Sequence, residues 1–226
     1  MSGWQPTPAT ALLILADGTR LEGRGIGAVG HAAGEVCFNT AMTGYQEILT
    51  DPSYAGQIVT FTFPHIGNVG TNDEDIETVN MAALSGVRGV VIKADITNPA
   101  NYRAAERLDA WLKKRNIVGI AGIDTRALTA RIREHGMPNG VVAHAPDGHF
   151  DEASITAELR NFPGLEGLDL AKEVTTAQTY KWDQTPWVWN KGYGTQDNPQ
   201  FHIVAVDFGA KRNILRQLAE EGARVT

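Results

Sequence analysis

The sequence predicts a mixed α/β protein, and two patterns carry that prediction. Short runs rich in Val, Ile, Phe and Thr first follow one another across turns, and later runs of the same kind alternate with helical patterns. The chain has 226 residues, of which 42% are hydrophobic and 20% are charged, as is ordinary for a folded globular protein. Strands before helices, followed by helices between strands, indicate a layered α/β domain that ends between Ala145 and Phe162.

The predicted strands begin with a β-hairpin. An apolar run from Ala11 to Leu15 meets Asp17-Gly18, and a second run starts at Thr19; Asp-Gly between two such runs is a strong hairpin signal because Gly tolerates positive φ. Further strands are predicted at Gly34 to Thr40, Gln57 to Phe63, Gly89 to Lys93, Asn116 to Ile123 and Gly140 to Ala145.

Two helices are predicted between the later strands. The first lies in NPANYRAAERLDAWLKKRN, where apolar residues recur at helical spacing from Tyr102 to Leu112 and Asn98 or Asn101 can cap the start. The second runs from Thr125 to His135, with Asp124 as its N-cap and Gly136 after its end.

The composition changes after Phe162. Residues 163–200 are rich in Pro, Gly and Asn without a sustained period, so they predict a long connection; its Trp182, Trp187 and Trp189 should pack against a domain surface. From His202 a nearly continuous apolar run predicts a parallel strand, and a helix from Asn213 to Glu221 follows. A parallel strand needs neighbours, and none is predicted before Thr226.

Composition also restricts the partners and the compartment. The formal net charge is −6 and the basic residues are scattered, so nucleic acid is not expected as a partner. No apolar run is long enough to cross a membrane, and the start MSGWQPTPAT does not resemble a signal peptide. A single cysteine cannot form an internal disulfide, and together these features favour the cytoplasm.

Three apparent motifs are better explained by structure than by chemistry. GIGAVG, Gly25 to Gly30, matches the pattern of dinucleotide-binding sites, but a strand rather than a helix is predicted after it. We therefore expect these glycines to form a turn or bulge. A nucleotide-dependent oxidoreductase, which this motif alone would suggest, is not expected. Cys37 lies in an apolar strand without a nearby cation, which indicates a buried structural cysteine. The six histidines show no metal spacing, and we expect no metal site.

The segment from Ala41 to Asn72 is the most informative part of the chain. It is dense in Gly, Pro, Asn, Ser, Thr and Tyr, more than a chain reversal needs, and this favours a ligand or interface surface. The alternative is local: Thr50, Asp51 and Ser53 would cap a turn in which Pro52 fixes φ.

The same residues resemble a known family, the small, glutamine-hydrolysing chain of carbamoyl-phosphate synthetase. The similarity runs in order through GEVCFNTAMTGYQEILTDPSYAGQIV, FPHIGNVGTNDED, GIDTRALT, FPGLEGLDLAKEVTT and VAVDFGAKRNILR, and so spans essentially the whole chain. The resemblance implies a layered β/β/α swivelling domain at residues 1–160 and a linker at 161–200. It implies the first strand and helix of a truncated flavodoxin-like class I glutamine amidotransferase domain at 201–226.

The resemblance also implies what this chain contributes to chemistry. The family's Cys nucleophile, His base and Glu lie beyond the positions matched here, Cys37 is not in the nucleophile motif, and no catalytic residue is assigned. The serine of TDPSY, Ser53, matches the position that reaches the glutamine pocket. L-glutamine and the large chain are the implied partners; ATP and bicarbonate belong to the large chain, and no cofactor is expected in this one. The product, carbamoyl phosphate, serves arginine and pyrimidine synthesis.

Two hypotheses follow. The first is a fragment of the glutaminase subunit that docks to the large chain and is inactive alone. The second is a stand-alone module that binds a small molecule or a partner through residues 50–54.

Overall fold

The first part of the chain forms one closed β-barrel. The computed structural model describes residues 8–78 and 86–226. Seven strands build the barrel: β1 (Ala11–Leu15), β2 (Arg20–Gly27), β3 (Gly30–Asn39), β4 (Gln57–Phe61), β5 (Gly89–Val91), β6 (Val118–Ala121) and β7 (Asn139–His144). Their order is β1-β2-β6-β5-β4-β3-β7, and β7 pairs antiparallel with both β3 and β1, which closes the sheet.

The mixed α/β class is therefore confirmed, with one difference in architecture. The described strands of this unit form a single continuous sheet, where the resemblance implied stacked layers. Strands β3 to β6 run parallel, and their runs are buried on both faces, as strands covered by helices usually are. Residues 1–7, which belong to the start MSGWQPTPAT that does not resemble a signal peptide, lie outside the described residues.

The opening hairpin follows from its turn residues. Gly18 adopts φ of +86°, which a residue with a Cβ rarely does, and the Thr19 N–H donates to Asp17 Oδ1 at 2.8 Å. Leu13 then pairs with Leu21 across the strands. The predicted hairpin is confirmed.

Within the described residues, four helices cover the barrel: α1 (Tyr45–Leu49), α2 (Leu108–Lys114), α3 (Thr125–His135) and α4 (Glu152–Asn161). Leu49 of α1 and Trp111 of α2 share one buried cluster with strand residues such as Val59. Leu128 of α3 joins a second cluster with the barrel, and Ile155 of α4 joins a third. The core thus lies between the strands and each of these helices.

Of the two helices predicted between the later strands, one has the predicted bounds and the other does not. Helix α3 has the predicted bounds, and the Ala127 N–H donates to its predicted cap, Asp124 Oδ1, at 3.0 Å. Helix α2 begins only at Leu108, so the predicted start at Asn98 or Asn101 is wrong. The backbone N–H groups of Ala100 and Ala105 donate to carbonyls of the 68–71 loop instead of a helix, and Tyr102 is left 71% exposed.

The glycines of GIGAVG form a turn, as predicted, and one of them also permits close packing, which was not predicted. Gly25 lies in β2, where a Cβ would come 1.9 Å from the ring of His144. Gly27 adopts φ of +70° at the end of β2, and Gly30 starts β3, so no helix follows that could hold a pyrophosphate.

Residues 163–200 contain more regular structure than a connection was expected to have. They hold a short helix α5 (Leu170–Val174) and a hairpin of β8 (Gln184–Val188) and β9 (Gly192–Thr195). The tryptophans were expected to pack against a domain surface. Trp182 does so, in contact with Leu215 and Val225, whereas Trp189 remains 64% exposed. The division of the chain at residues 160 and 200 stays a prediction.

The last residues form a β-α-β unit. Strand β10 (Phe201–Ile203), helix α6 (Arg212–Glu220) and strand β11 (Ala223–Val225) follow each other, and β10 pairs parallel with β11. The expectation that β10 has no neighbour is therefore wrong, because the short ARV run supplies one. The strand predicted in the apolar run from His202 ends already at Ile203, and Val204 and Val206 are each 72% exposed.

Candidate functional site

The TDPSY sequence forms a tight turn anchored on α1. Pro52–Tyr54 make a single 3₁₀ turn, and the Ser53 N–H donates to Asp51 Oδ1 at 2.9 Å. The Thr50 hydroxyl donates to the Gln46 carbonyl at 2.9 Å and accepts from the Glu77 N–H at 3.0 Å. The local capping role predicted for Asp51 is thus present, and the turn is also tied to a distant segment.

A second turn, at residues 207–211 (DFGAK), lies against the first. Lys211 Nζ is 2.6 Å from Asp51 Oδ2, and this hydrogen bond raises the pKa of Lys211. Asp51 is only 4% exposed, so its carboxylate depends on these partners for the hydrogen bonds that water would otherwise make. We call the contact between the 50–54 and 207–211 turns the junction.

Gly209 allows the two turns to approach. It adopts φ of +95°, and a Cβ there would lie 2.7 Å from Val174 Cγ2 and 3.3 Å from Pro52 Cβ. Asp207 Oδ1 accepts from the N–H groups of Gly209 and Ala210 at 2.8 and 2.7 Å, which fixes the second turn. Both the conformation and the space at position 209 therefore require glycine.

Ser53 is exposed at the junction. Its hydroxyl makes no hydrogen bond within the part of the chain that the structure describes, although its backbone N–H is bonded to Asp51. A serine hydroxyl both donates and accepts, so it suits a carboxylate or an ammonium group. The glutamine-binding role of Ser53 stays a prediction.

Glu77 connects the barrel to α6. The Arg212 N–H donates to the Glu77 carbonyl and the Asn213 N–H donates to Glu77 Oε2, both at 3.0 Å. A carboxylate at a helix N-terminus is stabilised by the helix dipole and by the unpaired N–H groups there. Glu77 therefore orients α6, and with it the 207–211 turn, relative to the barrel.

Arg216 lies at the centre of the same contact and was not singled out from the sequence. It is 3% exposed, its guanidinium lies 4.0 Å from the ring centroid of Tyr193, and its Nε donates to Gln184 Oε1 at 2.9 Å. Glu77 Oε1 is 3.9 Å away. The only available signal was an arginine directly after Leu215 on a helix with a strong apolar face.

Cys37 is buried in β3, as predicted. It is 5% exposed, and burial, with a smaller effect from Glu35, raises the pKa of its thiol to about 12. A thiol with that pKa is almost fully protonated at neutral pH, and the protonated form is a poor nucleophile.

The described residues contain no group of three or more His, Cys, Asp or Glu side chains placed to hold a metal ion. His144 is buried with Nδ1 3.0 Å from the Ala28 carbonyl oxygen, and His31 pairs with Glu158 at 2.8 Å. None of the helices in the described part of the chain is both long and apolar enough to span a membrane.

These features define a two-part α/β protein, in which a polar turn of a closed barrel meets the first turn of a β-α-β unit. The chain belongs to the carbamoyl-phosphate synthase small chain family, because its residues 13–142 match the family model described as "Carbamoyl-phosphate synthase small chain, CPSase domain". The matched region lies in the barrel unit.

Relatives agree with this assignment. The carbamoyl phosphate synthase small chain of Bradyrhizobium diazoefficiens is 66% identical over 223 residues, which cover 99% of this chain and 56% of that protein. Those of Mesorhizobium japonicum and Rhizobium meliloti are 67% and 63% identical, with the same coverage. The chain thus spans about half the length of the curated relatives it matches. Among solved structures, an aminopeptidase from Aneurinibacillus sp. strain AM-1 overlaps with a TM-score of 0.34 at 17% identity, covering 62% of this chain and 31% of that one, which is too low to inform fold or function.

Proposed function

We propose that this chain is part of the glutaminase subunit of carbamoyl-phosphate synthase. In this role the barrel unit docks to the large chain in the cytoplasm, and Ser53 contributes one polar contact to L-glutamine. Ammonia from glutamine then passes to the large chain, which uses ATP and bicarbonate to form carbamoyl phosphate. The observation that supports the glutamine contact is the exposed Ser53 hydroxyl, free of described partners, beside the Asp51–Lys211 pair.

The chemical step requires a nucleophile that these residues do not supply. Cys37 is the one cysteine among the 226 residues, and it is a buried thiol whose pKa is raised to about 12. A glutaminase of this class needs a thiolate beside a general base and an oxyanion hole. We therefore expect the 226-residue chain to bind in the complex without hydrolysing glutamine by itself.

Ammonia release tests this expectation directly. The purified 226-residue chain is incubated with glutamine, and ammonia is measured with a coupled glutamate dehydrogenase assay against a heat-denatured sample. No release above that background is expected, with or without the Cys37→Ser substitution. Turnover that disappears in Cys37→Ser would assign the nucleophile to Cys37 and contradict the proposal.

Docking to the large chain is tested on the FPHIGNVGTN loop, whose exposed residues are the proposed contact. Val69 in this loop is 44% exposed. Because an unpaired charge in an interface is costly, Val69→Asp should weaken binding to the purified large chain by about tenfold or more. Met137→Asp, at a 54% exposed position just after α3, is the matched control and should leave the affinity unchanged. Equal affinities of the two variants would exclude Val69 from the interface.

The second candidate function is a stand-alone module that binds through residues 50–54. The exposed side chain of Ser53 supports it, since the backbone N–H of Ser53 is held by Asp51 within the same turn. Saturable binding of free glutamine to the isolated chain, abolished by Ser53→Ala, together with no affinity for the large chain, would favour the module over the subunit.

A further inference from the structure

A basic cavity lies at one end of the barrel and involves none of the residues of the junction. It has a volume of about 290 Å³ and is lined by residues of the β2–β3 turn, the segment before β5 and the segment before β6. Its basic lining residues are His31, Arg88 and Arg115. Strands β3, β5 and β6 run in the same direction and all begin at this end, so backbone at the starts of three parallel strands frames the cavity.

Neither arginine is committed to a carboxylate. Arg88 is exposed, and its Nε donates to the Ala33 carbonyl oxygen at 3.3 Å. Arg115 Nε is buried without a hydrogen-bond partner among the described residues, and the guanidinium lies 4.2 Å from the ring centroid of Trp111. The two stretches outside the described residues, 1–7 and 79–85, contain no Asp or Glu that could pair with these arginines.

Two acidic groups nearby, Glu158 and Glu106, are paired with basic residues other than the two arginines. Glu158 pairs with His31 at 2.8 Å and accepts from the Ala33 N–H at 2.9 Å. Glu106 pairs with Lys114 at 2.7 Å. Glu106 and Asp73 also interact electrostatically with Arg115. Burial lowers the pKa of Arg115, which still remains charged at neutral pH. Among the described residues, neither guanidinium group therefore forms an ion pair with a carboxylate, while the third basic lining residue, His31, is paired with Glu158.

We propose that this cavity binds the phosphate group of a small phosphorylated metabolite or free phosphate. Planar guanidinium groups recognise oxyanions through paired hydrogen bonds. If each of the two guanidinium groups makes a pair of hydrogen bonds, the ligand needs more than two acceptor oxygens. A phosphate group has them, whereas a single carboxylate has only two oxygens. The stacking of Arg115 on Trp111 holds its plane in place, so little side-chain freedom is lost on binding.

Titration with inorganic phosphate tests the site. The 226-residue chain is titrated with phosphate at constant ionic strength, with sodium chloride as the exchanged salt, and backbone amide NMR shifts are followed. Saturable shifts are expected for residues 29–32, 88 and 115–118. Arg88→Gln and Arg115→Gln should each weaken binding by about tenfold, the effect of one charge-assisted hydrogen bond. Arg126→Gln, at an exposed position on α3, is the matched control and should bind like the parent.

The remaining arms decide the ligand class. Glycerol phosphate should bind at the same residues as inorganic phosphate, and acetate should not. Arg88 is exposed, so Arg88→Gln should fold normally, and its binding remains informative even if Arg115→Gln unfolds. Failure of phosphate to give saturable shifts, an equal loss in Arg126→Gln, or equal binding of acetate would overturn the proposal. None of these outcomes depends on glutamine hydrolysis or on the large chain.

Discussion

Leu49→Ala is expected to destabilise the chain by about 2–5 kcal/mol, the range for removing most of a buried leucine side chain. Leu49 is 1% exposed and packs in the cluster that joins α1 and α2 to the barrel. The lost apolar contacts and the cavity left behind both contribute. Because Thr50 and Asp51 follow directly, the same change should loosen the TDPSY turn at the junction.

Urea unfolding followed by circular dichroism measures this effect. Met42→Ala is the matched control, since Met42 lies in the same segment but is 71% exposed, and it should change the free energy of unfolding by no more than about 0.5 kcal/mol. Similar values for the two variants would mean that α1 does not pack on the barrel as described.

Arg216→Ala is expected to lower the free energy of unfolding by about 3 kcal/mol, the order found when one member of a buried charged pair is removed. The substitution takes away the hydrogen bond to Gln184 and the contact with the Tyr193 ring, and leaves Glu77 without its nearest guanidinium. These partners belong to the barrel and to the β8–β9 hairpin. The substitution should therefore destabilise mainly the contact between α6 and the rest of the chain.

Hydrogen exchange locates this effect. Amides of α6 and of the β8–β9 hairpin should exchange faster in Arg216→Ala, while those of β3 and β7 keep their protection. Arg224→Ala, an exposed arginine in β11, is the control and should leave both regions unchanged. Arg216→Met separates packing from charge, because methionine fills much of the space without a charge. A uniform loss of protection across the barrel would contradict a local role for Arg216.

The relation between sequence and structure differs between the barrel helices. Asp124 and Gly136 mark the ends of α3, because capping side chains and a left-handed glycine act within a few residues of chain. The start of α2 could not be found this way. The apolar spacing continues back to Tyr102, but the backbone at Ala100 and Ala105 bonds to the 68–71 loop. A distant partner thus replaced the local helical hydrogen bonds.

The candidate site shows the same division. The turn at residues 50–54 was recognisable, since Asp51 and Pro52 specify it locally. Its contact with Lys211 and Gly209 joins residues more than 150 positions apart, and no periodicity signals such a contact. The family role of Ser53 came from the resemblance of the TDPSY segment, and its glutamine contact stays a prediction.

The sequence by itself determined the α/β class, the opening hairpin, the extent of α3, the burial of Cys37 and the family. These features depend on periodicity, turn chemistry and long matching segments, all of which are local in the chain. Only the tertiary structure decided the closure of the barrel, the pairing of β10 with β11, the junction of the two turns and the basic cavity. Each of these depends on which distant residues meet, and that is set by the packing of the whole chain.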